Sequence, residues 1–303
     1  MTDAVRSSKP RVGFVGLGMM GAPMAARIAE AGYPLSVFDR SVEVMAHFGS
    51  RPGCHPCASA ADTAREAEFL VTMLPGSPAV AETLRGGVFD ALPEGACIVD
   101  MSSSEPLVTR TLADEAASRG LVLIDAPVSG GVKKARDGSL AIMAGGSPAD
   151  VARCEPLLKC MGASVFHTGA VGSGHAMKAL NNFVSAAGLV AAVEALHIGA
   201  SFGLDPRTIT RVLNASTGRN NTTENKVEQF MLSGTYASGF SLDLMVKDIG
   251  IAIGLADSLS IPADLGHACL DVWHRAQSTG GPGRDHTEMF RLLQPAAQTL
   301  SKP

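Results

Sequence analysis

Apolar residues fall in short blocks through the first half of the chain and at helical spacing through the second. Arg11–Val15, Leu35–Phe38, Phe69–Leu74, Cys97–Met101 and Val122–Ala126 are mainly apolar runs of four to six residues, which suits strands buried on both faces. Between them lie stretches with helical patterning, Ala22–Ala31, Ser59–Glu68, Pro78–Arg85 and Glu105–Arg119. Strands alternating with helices predict a parallel sheet covered on both sides. From Gly172 to Gly203 a long, apolar, Ala-rich stretch opens on Gly172-Ser173-Gly174 and reads as one helix. Beyond Gly203 the strand pattern stops. Helices are expected from Asp205-Pro206 to Ala215 and over Thr223–Leu232, Leu242–Leu259, Pro262–Gln277 and His286–Leu293, a set that fits a compact bundle. The expected architecture is α/β. A doubly wound parallel sheet occupies residues 1–172, an interdomain helix residues 173–203, and an all-α domain residues 204–303.

Charge narrows the partners. Twenty-five Lys and Arg stand against 29 Asp and Glu, a net charge of -4, and no block of like charge interrupts the chain. Such a balance argues against nucleic acid or an anionic membrane as a partner. The first ten residues lack the apolar segment of a signal peptide, and no uninterrupted apolar run spans a bilayer, so a cytoplasmic protein is expected. Cysteines at 54, 57, 97, 154, 160 and 269 are then expected to be reduced. Cys54-His55-Pro56-Cys57 has chemical spacing, but two further zinc ligands are not evident nearby; it reads as small apolar residues in a loop or short strand. His167, His175, His197, His267, His274 and His286 share no metal spacing and read as structural or surface residues, so no metal site is expected.

The candidate chemistry begins after the first strand, at Gly16-Leu17-Gly18-Met19-Met20-Gly21, which leads directly into a helix. In this setting the first glycine permits a tight turn, the second lets a pyrophosphate approach the backbone, and the third lets helix and strand pack closely. Asp39 ends the second strand eighteen positions after Gly21, where a carboxylate accepts hydrogen bonds from an adenosine ribose. That favours NAD; the neighbouring Arg40 leaves NADP open, since a guanidinium pairs with a 2'-phosphate. Ligands of such sheets bind beyond the carboxyl ends of the strands, so Leu74-Pro75, Ser103 and the segment after Ala126 belong to one crevice. In that segment Ser129-Gly130-Gly131 offers a hydroxyl and freely placed N–H groups to a small anion, or is an ordinary glycine turn. Lys178 and Asn182 stand four residues apart in the long apolar helix, with Ser185 close to the same line. A lysine there either reaches water or has a task. Lys247-Asp248 is a second charged pair in an otherwise apolar helix.

Taken together, Gly13–Gly32, Thr72–Ser77, Asp100–Pro106, Asp125–Gly146, Gly172–Asn182 and Gly239–Asp248 resemble the beta-hydroxyacid dehydrogenases, in order and over nearly the whole chain. The resemblance implies a Rossmann-type domain, a long interdomain helix and an all-helical C-terminal domain. It also implies NAD(P)-linked oxidation of a small 3-hydroxy acid of the 3-hydroxyisobutyrate kind. It makes Lys178 the catalytic lysine with Asn182 beside it, gives the substrate carboxylate to Ser129, Gly130 and Gly131, and brings Ser103 and Lys247 to the nicotinamide end of the cofactor. Phe240 and Asp248 help to close the pocket. It gives no role to Lys133-Lys134.

Hydride leaves an alcohol readily only if the hydroxyl proton leaves too, so a base must reach that oxygen. Lys178 fits this role, with desolvation and the charge of Lys247 lowering its proton affinity. Two rivals stay open: reduction of tartronate semialdehyde or a related small aldehyde, and a non-catalytic dinucleotide-binding or sensor protein, which could afford to lose Lys178. A homodimer or homotetramer is expected from the apolar helix and bundle.

Overall fold

The computed structural model describes residues 9–49 and 51–294; the polar start of the chain before residue 9 lies outside the described residues. Two compact units form, Met1–Lys178 and Ala179–Pro303.

In the first unit the chain runs β1 (Val12–Val15), α1 (Gly21–Glu30), β2 (Leu35–Phe38), α2 (Val42–Gly49), β3 (Cys54–Pro56), α3 (Ala60–Ala64), β4 (Phe69–Thr72), α4 (Ser77–Thr83), α5 (Phe89–Ala91), β5 (Cys97–Asp100), α6 (Pro106–Ala117), β6 (Val122–Asp125), β7 (Val128–Ser129), α7 (Gly131–Asp137), β8 (Leu140–Gly145), α8 (Pro148–Leu158) and β9 (Gly162–Gly169). Strand order is β3-β2-β1-β4-β5-β6-β8-β7, with β9 also paired to β8. Every pair from β3 to β6 is parallel. β1, β4 and β5 are buried along their whole length, as the apolar runs require. Chain direction across the sheet reverses between β1 and β4, which is where such a sheet opens a crevice for a ligand.

The sheet departs from the expected one after Asp125. Three further strands and two helices follow, and β8 runs antiparallel to both β6 and β7. Leu140–Gly145 is as apolar and as buried as the earlier strands, whereas Gly162–Gly169 carries polar residues and is half exposed. Helices in the first unit are also shorter than their patterning suggests. α4 gives way to a π turn over Leu84–Val88, because Gly86 and Gly87 leave helical geometry. α3 starts where the Ser59 hydroxyl accepts the Asp62 N–H and ends at Ala64.

The long helix α9 (Ser173–Phe202) is unbroken. One stretch of it, with mean hydropathy 1.7, is long and apolar enough to cross a membrane by length and composition alone, although polar residues interrupt the apolar run. Of that stretch 39% is buried within the fold. In the second unit Ala186, Leu189, Val193 and Leu196 of α9 pack with Trp273, Met245 and Ile249 into one core. The remaining elements are α10 (Pro206–Ala215), α11 (Asn221–Asn225), a π turn over Val227–Met231, α12 (Leu242–Ser258), α13 (Asp264–Gly280), a 3-10 turn over His286–Glu288 and α14 (Met289–Leu292). Asp205 caps α10 by accepting the Thr208 N–H at 2.8 Å, as the Asp-Pro start predicts.

Candidate active site

The glycine loop turns between β1 and α1, and its three glycines meet three different surroundings. Gly16 has φ +100°, and a Cβ there would overlap the Met73 carbonyl oxygen. A Cβ on Gly21 would overlap the Gly16 carbonyl, so α1 starts against the turn itself. Gly18 is exposed, with nothing within 4 Å of where its Cβ would stand. No protein atom therefore explains Gly18, and open space over its backbone fits a diphosphate lying there. Leu17 is buried, Met19 exposed and Met20 half-buried.

Asp39 follows β2 and closes this loop. Its carboxylate accepts the Leu17 N–H at 2.6 Å and the Ser41 N–H at 2.8 Å. Arg40 points elsewhere, into an exposed ion pair with Glu82 at 3.0 Å. Leu74 and Pro75 follow β4, and Leu74 N–H donates to the Ser102 hydroxyl at 2.9 Å, linking the ends of β4 and β5. Ser103 follows β5, and Ser129-Gly130-Gly131 joins β7 to α7, with φ +134° at Gly130 and +69° at Gly131. Lys133 and Lys134 are exposed on α7.

Two buried carboxylates and a histidine, none of which the patterning singles out, organise the floor of this crevice. Asp100 ends β5 and accepts hydrogen bonds from the Thr72 hydroxyl (2.9 Å), the Ser104 hydroxyl (2.9 Å) and Ser102 N–H (3.1 Å). Asp125 ends β6 and accepts Gly172 N–H at 2.6 Å and His175 N–H at 2.7 Å, satisfying two donors at the start of α9. Burial lifts its carboxyl above the usual carboxylate range, against the pull of His175 and of those N–H groups. His175 fills the space between, its Nδ1 at 2.8 Å from the Thr109 hydroxyl and its Nε2 at 3.1 Å from the Ser102 carbonyl. The first turn of α9 is thereby fixed to the sheet. Lys178 lies three residues further along and is 8% exposed.

In the second unit the structure joins three of the expected residues into one cluster. Asn182 Nδ2 donates to Asp248 Oδ2 at 2.5 Å, and Lys247 Nζ lies 3.1 Å from Asp248 Oδ1. Asn182 and Asp248 are buried. Phe240 stacks edge-on against His286, with ring centroids 5.7 Å apart. Beside this cluster lie Lys226 and Asp285, which sequence patterning leaves unmarked, and His286, which it reads as structural or surface and which is buried. Burial lowers His286 to about 4, helped by the Lys226 charge, and lowers Lys226 to about 8. No group of three or more potential metal ligands occurs among the described residues. Cys54 and Cys57 lie on and just after β3, and burial raises both thiols, so neither has the character of a reactive thiolate.

The parallel strands β1 to β6 with their glycine loop and closing acid define a Rossmann-type dinucleotide-binding domain. Residues 11–169 match the NAD binding domain of 6-phosphogluconate dehydrogenase, and residues 172–293 match the NAD-binding domain of NADP-dependent 3-hydroxyisobutyrate dehydrogenase. The mitochondrial 3-hydroxyisobutyrate dehydrogenase of Rattus norvegicus is 38% identical over 95% of this chain and 88% of its own length. The 2-(hydroxymethyl)glutarate dehydrogenase of Eubacterium barkeri is 34% identical over 94% of this chain and 95% of its own. A solved structure of the Mycobacterium tuberculosis 3-hydroxyisobutyrate dehydrogenase with L-serine superposes with a TM-score of 0.88 at 29% identity, covering 94% of this chain and 99% of that one. The chain belongs to the beta-hydroxyacid dehydrogenase family. It is an NAD(P)-dependent hydroxyacid dehydrogenase.

Proposed function

We propose that the enzyme interconverts a small 3-hydroxy acid of the 3-hydroxyisobutyrate kind and its semialdehyde, with Lys178 as general acid and base. The observation that carries this reading is the placement of Lys178: a buried amine on a helix whose start is held by Asp125 at the carboxyl end of β6. Gly16 to Gly21, Asp39, Leu74, Pro75 and Ser103 would hold the dinucleotide, with Lys247 toward its nicotinamide. Bound there, the nicotinamide supplies the hydride acceptor and donor. In oxidation the neutral Lys178 amine takes the hydroxyl proton, and in reduction the ammonium returns it to the developing alkoxide. Asn182, fixed by its bond to Asp248, orients the amine or the substrate hydroxyl. Ser129, Gly130 and Gly131 receive the substrate carboxylate, and Phe240 and Asp248 line the pocket.

Asp39 favours NAD, since a 2'-phosphate would meet its charge while Arg40 is engaged by Glu82. Exposed apolar side chains on α9, Val184, Ile198 and Phe202 at 68, 71 and 84%, support a homodimer or homotetramer, which light scattering measures directly.

The test is a coupled assay of 3-hydroxyisobutyrate, glycerate, threonate, serine and tartronate semialdehyde with NAD and with NADP, repeated on Lys178→Ala. Turnover of 3-hydroxyisobutyrate with NAD is expected, and Lys178→Ala is expected to lose about 100-fold or more in kcat while still binding NAD. Near-normal turnover by that variant removes the lysine from the mechanism.

A further inference from the structure

Among the charged groups of the second unit, Lys226 stands out by what surrounds it. Its backbone is fixed at the junction of α11 and the π turn: its N–H donates to the Thr222 carbonyl at 2.9 Å, and its carbonyl accepts from Phe230 and Met231. α11 is tied to α9 at two points, Asn220 Nδ2 donating to the Gly188 carbonyl at 3.4 Å and Lys226 Nζ lying 3.5 Å from the Ser185 hydroxyl. That neutral hydroxyl is a weak partner for a cation, and no carboxylate lies within ion-pairing distance of Lys226 among the described residues. Asp285 is the acid near enough to attract it, yet its carboxylate is taken up by the Ser238 hydroxyl, Gly239 N–H, Thr287 N–H and the Thr287 hydroxyl. His286, the other titratable group facing it, is held neutral at ordinary pH and supplies no counter-charge. The protein thus keeps a largely buried ammonium that feels the Asp285 charge but has no carboxylate within ion-pairing distance among the described residues. A direct anionic partner would lower the cost of holding it there.

Position identifies what brings it. Ser185 follows Asn182 by three residues and Lys178 by seven on α9, so all three share one helix face. At 1.5 Å per residue the Ser185 level is about 5 Å beyond Asn182 and about 10 Å beyond Lys178 along the axis. Phe240, the expected pocket wall, packs on His286 in the same cluster.

We propose that Lys226 is a specificity-determining residue that receives a second anionic group on the substrate, carried by the substituent at C2 one to three bonds beyond the position of the 3-hydroxyisobutyrate methyl. The preferred substrate class is then a dianionic 3-hydroxy acid. This rests on the hydroxy-acid reading above and deepens it.

The probes are 3-hydroxyisobutyrate, 2-(hydroxymethyl)succinate and 2-(hydroxymethyl)glutarate, which carry the same alcohol and first carboxylate and differ in the second. Wild-type enzyme, Lys226→Met and Lys226→Arg are compared by kcat/KM. The diacid-to-monoacid ratio is expected to fall by about 10- to 100-fold in Lys226→Met, chiefly through KM, and to recover in part in Lys226→Arg. Lys226→Met is also expected to match or exceed the wild-type Tm, because it removes a buried charge that has no direct ion partner; a merely structural lysine would lower Tm and slow all three substrates alike. An unchanged ratio, or a wild type that oxidises 3-hydroxyisobutyrate but gains nothing from a second anion, overturns the assignment and leaves the hydroxy-acid reading standing. A wild type that oxidises none of the three overturns both.

Discussion

At residue scale, Gly18 and Gly21 separate two demands that a glycine loop usually confounds. A methyl at Gly21 would collide with the Gly16 carbonyl and push α1 off the turn, whereas one at Gly18 meets no protein atom. Gly21→Ala is expected to lower both stability, by about 1–3 kcal/mol, and NAD affinity. Gly18→Ala is expected to keep stability within about 0.5 kcal/mol of wild type and still weaken NAD binding about tenfold or more. Urea unfolding and a fluorescence titration of NAD distinguish the two, and an unchanged NAD affinity in Gly18→Ala would remove the diphosphate from that space. These glycines were legible because turn, close packing and open backbone are encoded within six residues. Asp125 and His175 were not. They meet across fifty positions, and nothing local in either segment names the other.

At the scale of elements, α9 is the one whose placement matters to the chemistry, and its register rests on Asp125. Removing that carboxylate leaves two buried N–H donors, of Gly172 and His175, without acceptors. Asp125→Ala is expected to cost about 2–4 kcal/mol in stability and, by loosening the turn before Lys178, about tenfold or more in kcat. Asp125→Asn, which keeps an acceptor oxygen, is expected to be milder on both counts. Chemical denaturation and steady-state kinetics on the same preparations check this; a loss of stability with unchanged kcat would free Lys178 from dependence on the cap. Helix α9 was readable from its length and apolar composition, and α10 from Asp205-Pro206. Strands β7 and β9 carry no apolar block, one being a Val-Ser pair and the other the half-exposed Gly162–Gly169, and they take strand geometry because β8 offers its hydrogen bonds; the apolar run of β8 itself was legible.

For the molecule as a whole, the titrating cluster of the second unit sets a pH dependence. His286 is neutral when folded, its value lowered to about 4 from an ordinary 6.5 by burial first and by the Lys226 charge second. Between those values the unfolded chain takes up a proton that the folded one does not. The contribution is therefore fully present above pH 6.5 and is lost as pH falls toward 4, by an amount on the order of 2–3 kcal/mol. Thermal unfolding followed from pH 7.5 to 4 should show this decline, and His286→Phe should flatten it. A decline of equal size in the variant would place its origin elsewhere.

Sequence by itself determined the alternation of strand and helix, the change to helices after Gly203, the glycine loop with Asp39, and the lysine in a helix too apolar to hold one idly. All of these are local: a period, a turn or a misplaced charge is written in neighbouring residues. The tertiary structure alone decided that Asp125 holds the start of α9, that Asn182 reaches Asp248, and that Lys226 has no carboxylate within ion-pairing distance among the described residues. Burial and distance between remote segments set those, and neither exists until the chain has packed.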